Sequence, residues 1–197
     1  DAVHHRIPPA EGPKSAGGDG ALHHPGESER VRSAAVDGWS VQIIDQTKLP
    51  HEVAIARLRA MEDAARAIFT MQVRGAPLIG ITAAYGVALA MRADGSNASL
   101  AKAYARLIKT RPTAINLRWA LDQMRALLQP LPAAERSRAA YARAAELVEA
   151  DVATNRAIGE HGLSLFRAAL KKKQRGEPLQ IMTHCNAGRI ATLDWGT

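Results

Sequence analysis

From Trp39 onward the chain alternates apolar and polar positions in two registers, and each predicts a different element. The stretch WSVQIIDQTKLPHEVAIARL holds two short β-rich runs around Lys48-Leu49-Pro50, which predicts a strand, a turn and a second strand. At AMEDAARAIFTMQ the period lengthens to that of a helix. Met61, Ala64, Ala65, Ile68 and Met71 fall on one face, and Glu62 and Asp63 suit the first turn's dipole. Gly75 in VRGAP permits a tight backbone, and Pro77 suits the first turn of the next helix, PLIGITAAYGVALAMR. Gly80, Ala83, Ala84 and Gly86 lower that helix's propensity but let another backbone come close, so it is predicted to be buried and central. Helices follow over about 98–109, 114–128 and 133–173, with Gly159 and Gly162 as candidate interruptions of the last. The lysines of KKKQRGEP suit a helix C-terminus, and Gly176 and Pro178 punctuate the change to a strand over 179–182.

Composition sets the outer limits. A chain of 197 residues with 47% apolar content supports one good core or two small ones. The first 38 residues are rich in Gly, Pro, Ser and His without apolar periodicity and read as a flexible leader. Three parts result: the leader at 1–38, a mainly helical domain at 39–175, and a new α/β unit at 176–197 of which only the first strand and turn fit. The apolar run 76–91 is broken by Gly80, Thr82 and Gly86 and falls short of the ~20 residues a span needs, so no membrane role is expected. The single cysteine excludes an intramolecular disulfide, which makes a reducing cytoplasm the expected location. The net charge of +7 is concentrated in the helical middle, where residues 100–175 carry fifteen Lys or Arg against six Asp or Glu. Two phenylalanines, three tyrosines and three tryptophans offer few stacking platforms for nucleic acid. A small phosphorylated substrate fits that charge, as does a solvated arginine-rich surface.

Four segments hold candidate chemistry. In RGAP, backbone N–H groups precede a helix N-terminus beside Arg74, an arrangement that serves either as an anion cradle or as a helix–helix turn with its arginine in water. In TRPTAINLRWAL, Arg111 stands in an extended residue ahead of Pro112, with Thr113 a candidate cap for the helix near Ala114. Two guanidinium groups of this kind could close on one phosphoryl group. In THCNAG, Cys185 lies where a strand gives way to a turn, and His184 and a helix N-terminus could lower its pKa. It is a candidate acid, base or nucleophile, or else a small buried side chain without chemistry. In EADVATNRAIGEHG, Asp151, Asn155, Arg156 and His161 recur on successive helical turns, lining a cleft or forming an exposed polar face. The pairs His4-His5 and His23-His24 have no structured partner, so no metal site is expected.

In order along the chain, IIDQTKLPHE, MQVRGAPLIGITAAYGVALAM, TRPTAINLRWAL, NRAIGEHG and THCNAG resemble the 5-methylthioribose-1-phosphate isomerases of methionine salvage, within the translation initiation factor 2B-like superfamily. The likeness runs from about Val41 to Gly188. It implies an α/β protein: a mainly helical N-terminal domain with a short β-hairpin lead-in, then a Rossmann-like domain that this chain enters for one strand only. It further implies a homodimer when full length, with no metal or nucleotide cofactor and a small phosphorylated sugar as substrate. By the same likeness Arg74, Gly75 and Ala76 contact substrate, Arg111 helps hold its phosphate, and Cys185 is the catalytic thiol.

Two departures from the family pattern stand out. The family's catalytic aspartate, in a Gly-Ala-Asp-Arg-Ile segment, and a following Asn-Lys pair both come later than Thr197, so the chain by itself is expected to be inactive and to present an open sheet edge. After THCNAG the family continues with small residues, whereas here Arg189 and Asp194 stand in that run and are expected to disturb the close approach of substrate or backbone. Ribose-1,5-bisphosphate isomerase and a non-catalytic factor 2B-like subunit are the rival readings of the same pattern.

Overall fold

The computed structural model describes residues 3–6, 38–184 and 188–196. Most of the 1–38 segment, and Cys185 itself, lie outside the described residues. Strands β1 (Val3–Arg6), β2 (Val41–Ile44) and β3 (Ile55–Leu58) precede five helices, α1 (Met61–Phe69), α2 (Ala76–Ala93), α3 (Asn97–Leu107), α4 (Ile115–Leu128) and α5 (Ala133–Leu170). Strand β4 (Gln180–Thr183) and a single 3₁₀ turn at Arg189–Ala191 follow. The chain is therefore α/β and mostly helical.

The predicted strand-turn-strand is present. β2 and β3 pair antiparallel with Val41 opposite Leu58 and Ile44 opposite Ile55. Alternation buries Val41 and Ile43 against the helices. β4 pairs antiparallel with β1, Val3 opposite Thr183, so one side of β4 is covered by the chain's own start. The other side of β4 has no partner strand among the described residues.

Helix α1 starts with the Asp63 carboxylate reaching back to accept the N–H groups of Arg59 (2.9 Å) and Ala60 (3.0 Å), the acidic half of a capping box. It ends earlier than the apolar spacing predicts. Met71 lies beyond the last turn with φ 60 and is about half exposed, so it leaves the apolar face formed by Ala64, Ala65 and Ile68. Helix α3 is capped by Ser96, whose hydroxyl accepts the Ser99 N–H at 3.1 Å. Helix α5 runs without a break through Gly159 and Gly162. Glycine keeps its N–H for the helical ladder and costs only about 1 kcal/mol relative to alanine, so neither residue interrupts it.

Helix α2 is the centre, with every residue from Leu78 to Met91 buried. By length and composition it could cross a membrane, yet its apolar surface is spent on packing against all four other helices. Small residues set those distances. A Cβ on Gly80 would come 2.8 Å from the Asn116 carbonyl oxygen, and one on Gly86 would meet Ala64 and both Leu107 methyls at 3.0–3.3 Å. At the far end of α2 the buried Arg136 guanidinium donates to the carbonyls of Gly95 (2.9 Å), Gln129 (3.0 Å) and Leu131 (3.0 Å). The C-terminal ends of α2 and α4 thus meet around one cation. Because Gly80 meets Asn116 near their starts, the two helices run parallel, and α5 returns antiparallel beside them.

These distances predict opposite signs for one chemical change at two sites. Gly80→Ala should lower stability by roughly 1–2 kcal/mol, overpacking outweighing the gain in propensity. Gly159→Ala, with open space around the new methyl, should raise stability by up to about 1 kcal/mol. Urea unfolding of the two variants measures both, and two changes of the same sign would contradict this packing.

Candidate active site

The parallel arrangement of α2 and α4 brings two predicted segments to the same end of the bundle. Gly75, with φ 98, forms the turn into α2, and Arg74 and Ala76 beside it are exposed. At the start of α4 the turn is closed by the Ala114 N–H donating to the Arg111 carbonyl at 2.9 Å. Thr113 does not cap this helix; the N-cap is Ala114, without a side-chain bond. Arg111 is half-buried, and its Nη1 is shielded from solvent with no hydrogen-bond partner among the described residues. A buried donor on a cation without an acceptor is expensive, which marks Arg111 as a group placed for something other than the fold.

The turn that follows the third predicted segment in sequence reaches the same place from the other end of the chain. The 3₁₀ turn Arg189–Ala191 lies on Gly75: a Cβ there would fall 2.2 Å from the Ala191 carbonyl oxygen. Both the positive φ and this contact restrict position 75 to glycine. The turn is held by the Gln46 side chain, whose Nε2 donates to the Ile190 carbonyl at 2.9 Å. Buried Ala191, Thr192 and Leu193 complete the seat. Arg189 and Asp194, expected to disturb close approach, instead pair with each other at 3.5 Å across the turn.

Of the four polar residues on α5, the structure separates two from two. Arg156 is exposed and paired with Glu160 (2.9 Å), and His161 is exposed. Asn155 is buried and donates to the Asp151 carbonyl at 2.9 Å, while Asp151 Oδ2 accepts the Leu193 N–H at 3.3 Å. Burial raises the Asp151 pKa, and the Leu193 N–H and the Asn155 amide oppose that rise without cancelling it. Asp45, next to Gln46 in the chain, differs. Its burial raises the pKa too, but the Thr47 hydroxyl (2.6 Å), the Gln72 amide (2.8 Å) and the Thr47 N–H (3.0 Å), with Lys48 nearby, hold it below the ordinary carboxylate value.

Sequence reasoning did not find one further feature of this end. A cavity of about 440 Å³ opens between the first turns of α2 and α4 and the middle of α5, with Pro77, Ile81, Ile115, Trp119, Leu147 and Asp151 in its wall. The one available signal was Trp119, a tryptophan in an aromatic-poor chain that remains half exposed.

The sequence pattern described as the Initiation factor 2 subunit family matches residues 72–193, which takes in Arg74, Arg111 and Asp151. The chain belongs to that family. Within the family it is 60% identical over 163 residues to the methylthioribose-1-phosphate isomerase of Paramagnetospirillum magneticum, covering 83% of this chain and 44% of that protein. It is 62% identical over 161 residues to the protein of the same name from Acidiphilium cryptum, covering 82% and 43%. Among solved structures, 5-methylthioribose 1-phosphate isomerase from Pyrococcus horikoshii superposes with a TM-score of 0.70 at 32% identity, over 87% of this chain and 47% of that one. Subunit delta of the translation initiation factor eIF-2B from A. fulgidus gives 0.68 at 34%, over 86% and 48%. The chain thus spans less than half the length of these relatives.

The two carboxyls predict opposite pH responses. The folded state favours protonated Asp151, so its contribution to stability is fully present in acid and is lost as pH rises through the raised value. Asp151→Asn should therefore raise the thermal midpoint at neutral pH, with the gain vanishing as the pH falls below the carboxylate range. Asp45 contributes above its unfolded value of about 4, and that contribution is lost as the pH falls through its depressed one. For Asp45→Asn the expected loss of stability is largest at neutral pH. Melting curves from pH 3 to pH 8 distinguish the two, and parallel curves would exclude both assignments.

Proposed function

We propose that this chain supplies the phosphate-gripping half of an aldose–ketose isomerase that converts 5-methylthioribose 1-phosphate to 5-methylthioribulose 1-phosphate. The observation that carries the reading is the shielded, partnerless Nη1 of Arg111 at the start of α4, on the same end of the bundle as the Arg74 turn. The names of the isomerase relatives support it. On this reading Arg74 and Arg111 hold the phosphate, the N–H groups at Gly75 and Ala76 face its oxygens at the N-terminus of α2, and Cys185 is the acid–base group beside the ring. Gly75 cannot carry a side chain because the backbone of Ala191 rests on it.

The reaction needs three balanced movements. A proton reaches the ring oxygen as its bond to C1 breaks, a hydrogen passes from C2 to C1, and a proton leaves the C2 hydroxyl as the carbonyl forms. Charge therefore develops at two oxygens while C1 stays esterified, and positioned cations, amides and proton donors stabilise it. The reading also includes the family's later aspartate, a Rossmann-like second domain beginning at β4, a cytoplasmic homodimer, and no metal or nucleotide cofactor. The near-equal likeness to an eIF-2B delta subunit favours a second reading, a non-catalytic subunit that binds partners. A thiol in the THCNAG loop argues for the isomerase, because a binding subunit has no need of one.

Calorimetric titration of the 197-residue chain with 5-methylthioribose 1-phosphate tests the reading. Arg111→Ala should weaken binding by about 10–100-fold, the range for a hydrogen bond to a charged group, and Arg111→Lys should recover only part because a point charge replaces a fork. The same chain should bind without turning substrate over. Affinity indifferent to both substitutions would refute the phosphate grip, and robust turnover would refute the need for the later aspartate.

A further inference from the structure

One residue outside the proposed grip is bonded to the segments on both sides of the Arg74 turn. The Gln46 N–H donates to the Gln72 carbonyl at 2.9 Å, and the neighbouring Asp45 carboxylate accepts the Gln72 amide at 2.8 Å. Gln72 stands two residues ahead of Arg74, just after the left-handed residue Met71 through which the chain leaves α1. The Gln46 side chain points the other way along the circuit, its Nε2 donating to the Ile190 carbonyl at 2.9 Å. The late turn then rests its Ala191 backbone on Gly75. From Gln46 through Gln72, Gly75, Ala191 and Ile190 back to Gln46, the contacts close a ring that has Arg74 in its path.

Packing does not replace these bonds. A cavity of about 50 Å³ separates β2 from the late turn, walled by Ile43, Ile44 and Gln46 on one side and by Ile190, Thr192 and Leu193 on the other. Where side chains leave such a space, apolar contact does not fix the turn, and a directional bond does. Gln46 is only 4% exposed, and its Oε1 is shielded with no hydrogen-bond partner among the described residues. Burying an amide with its acceptor unmet costs stability and offsets the bond made by its donor. The consequence of this side chain is therefore placement more than stability.

We infer that Gln46 is a positioning residue of the proposed isomerase: it sets the Arg74–Gly75–Ala76 turn against the turn that follows Cys185 in sequence, and so governs how tightly phosphate is held without touching it. This deepens the proposed function and rests on it for the identity of the ligand. The link between the two segments rests on the bonds alone.

Gln46→Met tests the inference on the 197-residue chain, because methionine keeps the length of the side chain while removing both the bond to Ile190 and the unmet acceptor. Those two effects on stability oppose each other, so the thermal midpoint should hold. Hydrogen exchange should quicken about tenfold at the amides of residues 72–76 and 189–193 and stay as in the wild type over residues 79–91. Calorimetric affinity for 5-methylthioribose 1-phosphate should fall about tenfold, and much less when Gln46→Met is added to Arg74→Ala, since a guanidinium already removed cannot be misplaced. Gln46→Asn, which keeps the amide but falls one methylene short of Ile190, should weaken binding equally and decides the matter if the methionine variant does not fold. Unchanged affinity, or a lowered midpoint with faster exchange throughout α2, would overturn the inference. If the wild-type chain binds no ester, the phosphate grip fails and exchange alone decides the link: a rise confined to the two segments upholds it, and any other pattern ends it.

Discussion

Backbone-to-backbone approach along α2 is the constraint on which the remaining geometry depends. A helix of small residues gains little from its own side chains, and its stability comes from how closely others can lie on it. Gly80 lets α4 come within contact of its backbone, and Gly86 does the same for α1 and α3. The result is a parallel pair, α2 and α4, whose N-termini open at one end of the bundle. Larger residues on α2 would push α4 outward, and the turns bearing Arg74 and Arg111 would separate with it. The packing of the core and the spacing of the proposed phosphate grip are therefore one quantity.

The element pattern was legible because it is local. Period-2 and period-3.6 spacing located β2, β3 and the helices, and the Gly75–Pro77 punctuation located the entry to α2. What sequence could not show depends on residues far apart. Met71 continues the apolar spacing of α1, but the chain turns through a left-handed residue there to reach Val73, whose N–H bonds the Ala67 carbonyl at 3.3 Å. Thr113 has the right chemistry for a cap and the wrong position, because the Arg111 carbonyl already closes the turn. Asp151 and Asn155 differ from Arg156 and His161 only in which way α5 faces, and that is decided by where α2 lies. The cavity is the extreme case, since three helices from separate parts of the chain make its walls.

The seat of the late segment follows the same logic. Arg189 and Asp194 read as intrusions when compared with a run of small residues. In the folded chain they neutralise each other, and the residues that must be small or buried, Ala191 and Leu193, are the ones that face inward. Gln46 then ties the segment to β2 across a separation of 144 residues, while Asp45 beside it is fixed by Thr47 and Gln72. Of these two neighbouring side chains of the IIDQTK stretch, the Gln46 amide holds the late segment and the Asp45 carboxylate holds Gln72 after α1.

Arg136 gives the opposite end of the molecule a different character. Its guanidinium is balanced by carbonyl dipoles rather than by a carboxylate. Short contacts between a sheltered cation and dipoles are also little weakened by dissolved ions. Dissolved ions therefore do little to release this clasp, and α2 and α4 stay joined where both helices finish.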